Sequence, residues 1–289
     1  MSGPAPTGAI SIERDFMRVV PTLGLVLSGL LCSTSVLACD TVLAADVYVI
    51  DAPGKYCLNA NRDHPVAIDA SDVELDCKTR TISRGDQQSR HIGIEVRRHD
   101  NVTVRNCRVD GYPVGIEMLI ERNGQLINNT VSNAGQPIFV SGSRDPQGSR
   151  LTGNRVVGYE RQGHEVPAWT PAIEVWDLPK SQLINNVVVG YRGNRGILMM
   201  RSPESQLTGN QMLDFLAEAD GVISMQESPR TRLVHNTIAL QTVRGRSAVS
   251  SDTNDHTCVE NIVVNAMGGG FEICGVSRFN VVQPWIEPH

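Results

Sequence analysis

Leu126-Ile127-Asn128-Asn129-Thr130-Val131 lies near the middle of the chain, and the chain repeats it. The pattern Leu-x-x-Asn-x-(Val/Ile/Met) returns with Leu151 and Asn154, Leu183 and Asn186, Leu207 and Asn210, and Leu233 and Asn236. Weaker copies set Thr103 before Asn106, Cys258 before Asn261 and Ser277 before Asn280. The asparagines fall 19 to 32 residues apart, and no helical period survives between them. Self-similarity at such a period marks a solenoid, whose repeats bury their apolar faces by stacking on one another.

A second motif precedes each asparagine, with a small residue and then strict alternation. Its copies are Gly93-Ile94-Glu95-Val96, Gly115-Ile116-Glu117-Met118, Ala172-Ile173-Glu174-Val175, Gly196-Ile197-Leu198-Met199, Gly221-Val222-Ile223-Ser224 and Gly270-Phe271-Glu272-Ile273. Alternation over four or five residues, closed by Gly, Asn, Ser or Pro, is a strand signal. Two or three such strands in about 24 residues make one coil of a parallel β-solenoid. A tight bend between strands leaves inward-facing backbone groups that need partners, and an Asn amide can pair them while bonding the Asn of the next coil. A leucine-rich repeat also carries a periodic Asn, but its Leu-rich consensus and helical segment are missing. The expected fold is therefore all-β: a single right-handed parallel β-helix of about eight to nine coils. Its Asn ladder runs through Asn106, Asn129, Asn154, Asn186, Asn210, Asn236 and Asn261, with one enlarged coil between Asn154 and Asn186.

Composition agrees. Of the 289 residues, 40% are hydrophobic, 4% aromatic and 20% charged, with 26 glycines, which suits Val/Ile/Leu strands and many bends. A net charge of −5 gives no reason to expect a nucleic-acid partner. Residues 1–45 read as an N-terminal extension with an export signal, and 46–289 as the β-helix domain. Met17-Arg18 opens a basic region, Val19 to Leu31 is an apolar run too short for a membrane span, and small residues follow, with cleavage after Ala38 or Ala44. Met17 is a candidate true start. The expected location is the periplasm or the cell exterior. Lipidation of Cys39 is a lesser reading, because Leu37 fits a lipobox poorly. Export makes disulfides expected, with Cys57–Cys77 stapling one end and Cys258–Cys274 the other. Cys107 reads as a buried core thiol.

The Asn ladder, the Gly-Ile-x-Val strand starts, the run Asn101-Val102-Thr103-Val104-Arg105-Asn106-Cys107 and the opening Gly54-Lys55-Tyr56-Cys57 through Val73-Glu74-Leu75-Asp76-Cys77 carry a resemblance. Over residues 46 to 282 the chain resembles the pectate-lyase-like right-handed β-helix superfamily, with the flavour of exported bacterial repeats such as the NosD-like group. The resemblance implies a fold and leaves activity open, because that superfamily holds lyases, hydrolases, epimerases and non-enzymes.

Outward positions of the strand that follows the small residue stack about 4.8 Å apart. They read Glu95, Glu117, Phe139, Glu174, Leu198, Ile223, Ser250 and Glu272 in the first place, and Arg97, Leu119, Ser141, Trp176, Met200, Met225, Asp252 and Cys274 in the second. Glu95, Glu117 and Glu174 are candidate acid/base carboxylates, or ordinary solvated positions neutralised by Arg97. Phe139, Trp176, Leu198, Met200, Ile223 and Met225 form an apolar strip. It serves as a platform for sugar rings, or is covered by a loop, by Pro284-Trp285-Ile286-Glu287-Pro288, or by a second copy in a homo-oligomer. The enlarged coil contributes Glu160 to Trp169, in which His164 and Glu165 are further acid/base candidates and Trp169 joins Arg97, Phe139 and Trp176 as substrate-binding candidates. Asp252, Asp255 and His256 have spacing similar to a calcium loop but lack its Gly and distant Glu, so a polar turn is the simpler reading.

No P-loop, dinucleotide fingerprint, nucleophile elbow or zinc spacing appears. Only Lys55, Lys78 and Lys180 are lysines, so a lyase base would have to be Arg97, Arg192, Arg195 or Arg201, none of which sits in a recognisable motif. Two functions follow as expectations: an exported enzyme acting on an acidic polysaccharide, as lyase, hydrolase or epimerase, and a non-catalytic envelope scaffold.

Overall fold

A computed structural model describes residues 39–85, 91–158, 170–215, 221–240, 247–266 and 270–284. The described strands form three parallel sheets of 11, nine and nine strands, here called A, B and C. One coil shows the path: Val114–Arg122 lies in sheet B, Gln125–Ile127 in sheet A and Thr130–Ser132 in sheet C. Each of these three strands pairs with its counterparts one coil above and below. The first described strand, Thr41–Val42, pairs in sheet A.

The interior consists of columns of like residues. In sheet B, Val66, Ile94, Ile116, Ile138, Ile173, Ile197, Ile223 and Val249 lie in register and are buried. The leucines of the repeat build the matching column of sheet A, where Leu126, Leu151, Leu183, Leu207 and Leu233 follow one another. Each such side chain contributes on the order of 1.5–3 kcal/mol by leaving water, and stacking equal shapes avoids voids.

Between sheets A and C the chain bends through two residues. The first takes a positive φ, as at Asn128 (54°), Asn185 (53°) and His235 (55°), or is glycine, as at Gly153 and Gly209. The second is the ladder residue. The Asn186 side-chain amide donates to Leu151 O at 2.9 Å and to Asn210 Oδ1 at 2.9 Å. Its Oδ1 accepts from both the backbone and the side-chain N–H of Asn154 at 3.0 Å. The same set repeats from Asn129 through Asn154, Asn186, Asn210 and Asn236 to Asn261, which bonds to Asn280. Asn106 is not a rung. Val104 pairs with Leu126, so the residue level with Asn129 is Cys107, and Asn106 takes the positive-φ place at 53°. There its amide donates to Asp76 Oδ1. Burial opposes ionisation of Asp76, but bonds from Asn106 and Lys78 and the Arg105 charge outweigh it and hold its carboxyl below the usual range.

Cysteine takes over where the ladder stops. The Cys107 N–H donates to Asn129 Oδ1, and Cys107 is bonded to Cys77 one coil away. The expected Cys57–Cys77 pair does not form: Cys57 is joined to Cys39, and the free thiol expected at Cys107 is a disulfide. Cys258–Cys274 is present as expected. Three disulfides point to an oxidising compartment, outside the cell or in the periplasm. Among the described residues no helix is long and apolar enough to cross a membrane.

A second internal ladder runs along the bend between sheets B and A. The backbone N–H of Ser149 donates to Ser181 Oγ, and that of Ser181 to Ser205 Oγ. The hydroxyls of Ser181, Ser205 and Thr231 each donate to the carbonyl three residues back. His256 closes this stack. Its Nδ1 accepts from the Thr231 N–H, and its Nε2 lies 2.7 Å from Ser251 Oγ and 3.0 Å from Thr253 Oγ1. Asp252 and Asp255 accept from the backbone N–H groups of Glu227 and Arg230. The turn read as a candidate calcium loop is thus a structural cap, with its polar atoms turned to the chain. Burial lowers the pKa of His256 against the pull of Asp255 and Asp252, so the folded protein holds it neutral. A depressed folded value means this stabilisation is present above the ordinary histidine pKa of about 6.5 and is lost as pH falls through the folded value. In thermal unfolding from pH 7.5 down to 5, wild type should lose more stability than His256→Gln. Equal slopes would refute the cap.

Candidate functional site

Among the described residues, the outward face of sheet B brings three carboxylates, Arg97 and two aromatic rings into register. In register from coil to coil, the first column reads Glu95, Glu117, Phe139, Glu174, Leu198, Ser224 and Ser250. The second reads Arg97, Leu119, Ser141, Trp176, Met200 and Gln226. The expected apolar strip is therefore shorter than the sequence suggested. Ile223 pairs with Ile197 and Met225 with Met199, and both point into the core. The motif at Gly221 begins one residue out of step with the others, which reverses its faces. The Gly270–Ile273 copy is a bend and turn rather than a strand, so Glu272 is exposed off the column.

The three carboxylates occupy different surroundings. Glu95 is paired with Arg97, whose Nη2 donates to it at 2.8 Å, and Arg97 also reaches Asp69 at 3.8 Å. Arg97 is thus committed within the N-terminal coils. Glu117, on the next coil, is half-buried and has no hydrogen-bond partner among the described residues. Burial first, and then the charge of Glu95, push its carboxyl above the usual range. Glu174 stands two coils further along, about 10 Å away at the backbone. It is only 6% exposed and accepts a 2.7 Å bond from the Gln136 amide. Tyr191 lies within its field: burial, and then Glu174, raise the phenol far above its ordinary value, so its O–H stays on and donates to Gly135 O at 3.0 Å.

Beside the carboxylates lies an aromatic step. Phe139 and Trp176 meet edge to face at 6.0 Å, and the Arg201 guanidinium sits 5.4 Å from the Trp176 ring. Arg201 is itself held by both oxygens of Asp177, whose carboxyl its hydrogen bond draws below the usual range. Met200 and Leu198 continue the apolar surface, with Leu198 buried.

Three polar atoms on this pair of coils are buried without a hydrogen-bond partner among the described residues: the Trp176 indole N–H, Asn194 Oδ1 and Arg195 Nε. Pro171 is level with Arg195 and Trp176 with Met200, so these atoms bracket Glu174 along the strand direction. Buried polar atoms are almost always paired, and a group of unpaired ones marks places a ligand or water would fill. Sequence reading missed Gln136 and Asn194, because nothing in the repeat singles them out. His164, Glu165 and Trp169 lie outside the described residues. Among the described residues no group of three or more His, Cys, Asp or Glu is placed to hold a metal. A groove lies away from this face, at the corner between sheets B and A.

No family model matches the chain, and no curated protein matches it in sequence. Two solved structures are similar to it. One is DFA-IIIase from Arthrobacter chlorophenolicus A6 in complex with DFA-III, at a TM-score of 0.39 and 12% identity over 82% of this chain. The chain spans 63% of that protein's length. The other is the A-module of an Azotobacter vinelandii mannuronan C-5 epimerase, at a TM-score of 0.36 and 12% identity, covering 86% of this chain and 84% of that one. With the three sheets and the ladder in view, the architecture has a plain description. The chain is a right-handed parallel β-helix.

Proposed function

We propose that this β-helix is an exported carbohydrate-active enzyme that hydrolyses a glycan laid across the outward face of sheet B. One observation carries the reading: Glu117 is half-buried, without a hydrogen-bond partner among the described residues, and pushed by burial and Glu95 toward its protonated form, two coils from a second, tethered carboxylate. A protonated carboxyl is what a leaving glycosidic oxygen requires. In this reading the Glu117 O–H gives its proton to that oxygen as the C–O bond breaks. Glu174, held by Gln136, takes a proton from the water that attacks the anomeric carbon. A backbone separation of about 10 Å brings the two carboxyl groups toward the roughly 6.5–9.5 Å of inverting hydrolases, which leave room for that water. Phe139 and Trp176 supply flat apolar surface for sugar rings, and Asn194 and Arg195 supply unspent polar atoms for hydroxyls. Export agrees with the three disulfides.

A second reading, a platform that binds glycan without cleaving it, draws on the continuous surface from Phe139 through Trp176 to Met200. Incubation with a panel of neutral and uronate polysaccharides separates the two. New reducing ends with inverted anomeric configuration support hydrolysis. Unsaturated ends would replace it with elimination, and tight binding without turnover on any member would leave the platform.

A further inference from the structure

Two places in the sequence could end the export leader, and they are the same tripeptide: Val36-Leu37-Ala38 and Val42-Leu43-Ala44. Each sets a small residue before the scissile bond, so the motif itself does not choose between them. What chooses is the part that the six residues from Cys39 to Ala44 play in the fold.

Those residues are built into the first coil. Thr41 and Val42 lie level with Tyr56 and Cys57 as the edge strand of sheet A. The backbone N–H groups of Asp40 and Leu43 donate to Lys55 O at 2.9 Å and to Cys57 O at 2.8 Å. The Asp40 carboxylate accepts from the Lys55 N–H in return. Leu43 is 5% exposed and belongs to the core. Just beyond, buried Arg62 donates to the carbonyls of Ala45 and Val47 and so fixes the bend that leads to Val49–Ile50 in sheet B. The compact unit that holds the coils begins at Cys39.

Cysteine arithmetic points the same way. The chain has seven cysteines, and the three disulfides use six of them, with Cys39 joined to Cys57. The seventh, Cys32, follows directly on the apolar run of the leader. Cleavage after Ala38 removes Cys32 alone and leaves an even set, every member paired. Cleavage after Ala44 would also remove Cys39, strip the edge strand and Leu43 from the coil, and leave Cys57 as an odd, buried thiol. The same disulfide speaks against a lipid anchor. A lipoprotein carries its diacylglycerol as a thioether on the sulfur of its first cysteine, and Cys39 Sγ is bonded to Cys57 Sγ.

We propose that the exported chain is cut between Ala38 and Cys39, so that the mature protein begins on a disulfide-bonded cysteine and carries no lipid. The step is a hydrolysis: water adds across one peptide bond, Ala38 takes the new carboxylate and Cys39 the new amine. Joining Cys39 to Cys57 then passes two electrons and two protons to a disulfide oxidant of the export compartment. Processing rests on the export half of the proposed function and on none of its hydrolase chemistry.

The full chain, expressed with its own leader in an exporting bacterium, tests this by N-terminal peptide mapping and by intact mass without reduction. The expected first residue of the exported protein is Cys39, with a mass six hydrogens below that of the reduced 39–289 chain and no acyl group. A non-reducing digest should yield the Cys39 and Cys57 peptides joined. Ala38→Leu should lower the mature fraction by about tenfold or more and accumulate precursor, while Ala44→Leu should be processed like wild type. Cys39→Ser combined with Cys57→Ser should be cut at the same bond and should unfold about 5–10 °C lower, the effect of losing a disulfide that closes a short loop. A first residue at Ala45, a diacylglycerol mass on Cys39, or chain that keeps its leader would each overturn the proposal. Polysaccharide turnover does not enter these readouts. An inactive protein that begins at Cys39 removes the hydrolase reading alone, and an active one that begins elsewhere removes the cleavage site alone.

Discussion

Asn186→Ala is expected to lower the unfolding free energy by about 4 kcal/mol, a large share of the total for most domains. The substitution removes four hydrogen bonds at once, two donated by the amide and two accepted by its oxygen. What remains is worse than a missing bond. The Asn154 backbone N–H, one of its side-chain protons and the Leu151 carbonyl are all buried and stripped of this partner, at about 1–3 kcal/mol each. Partial relaxation and residual water lower the sum. The neighbouring bend residue is the control: Asn128 is exposed with a positive φ of 54°, so Asn128→Gly should be nearly neutral. Equilibrium denaturation of the oxidised protein measures both. A cost for Asn186→Ala no greater than that of Asn128→Gly would show that the ladder follows the fold rather than stabilising it.

Glu117→Gln carries the second large effect, and it acts in two directions. On the hydrolase reading, glutamine keeps shape and burial but has no proton to give, so kcat should fall by about 10²- to 10⁴-fold with KM little changed. In wild type the acid must be protonated, so activity should fall as pH rises through a value above that of an ordinary glutamate. The variant should lose that limb. Stability should move the other way. A carboxyl whose folded pKa is raised destabilises the fold once it ionises, so Glu117→Gln should raise the unfolding temperature at pH 7 and leave it unchanged well below the folded value. Full activity in the variant would remove Glu117 from the chemistry. A lower unfolding temperature at pH 7 would contradict the burial and repulsion assigned to it.

The repeat was legible because its physics is local. A leucine three places before an asparagine, followed by a valine, encodes inward residue, bend and inward residue whatever lies elsewhere, and every such unit holds. Errors arose where a one-residue shift matters. At Thr103-Val104-Arg105-Asn106-Cys107 two asparagine-like registers compete, and the pairing of Val104 with Leu126 chooses the one that makes Cys107 a rung. The same kind of shift at Gly221 turned Ile223 and Met225 inward. Disulfide partners depend on that register, which is why the N-terminal end carries Cys39–Cys57 and Cys77–Cys107 in place of the expected Cys57–Cys77, while Cys258–Cys274 forms as expected. Arg62 could not have been foreseen. It is 5% exposed and donates to the carbonyls of Ala45, Val47 and His64, a role set by the course of the chain around it rather than by any motif. The carboxylates of sheet B were readable as a column, but their differences were not, since a neighbour such as Gln136 comes from another coil.

The ladder also has a sense of direction. From Asn129 to Asn261 every side-chain amide donates to the oxygen of the following rung, ending on Asn280, so the amide dipoles align and polarise one another along the axis. Each rung presents the same acceptor to what comes before and the same donor to what comes after. A coil is therefore an interchangeable part: any one can be copied or dropped between two others without a mismatch at the joint. Length in this protein is set in whole turns, and so is the distance between any two chemical groups on its surface.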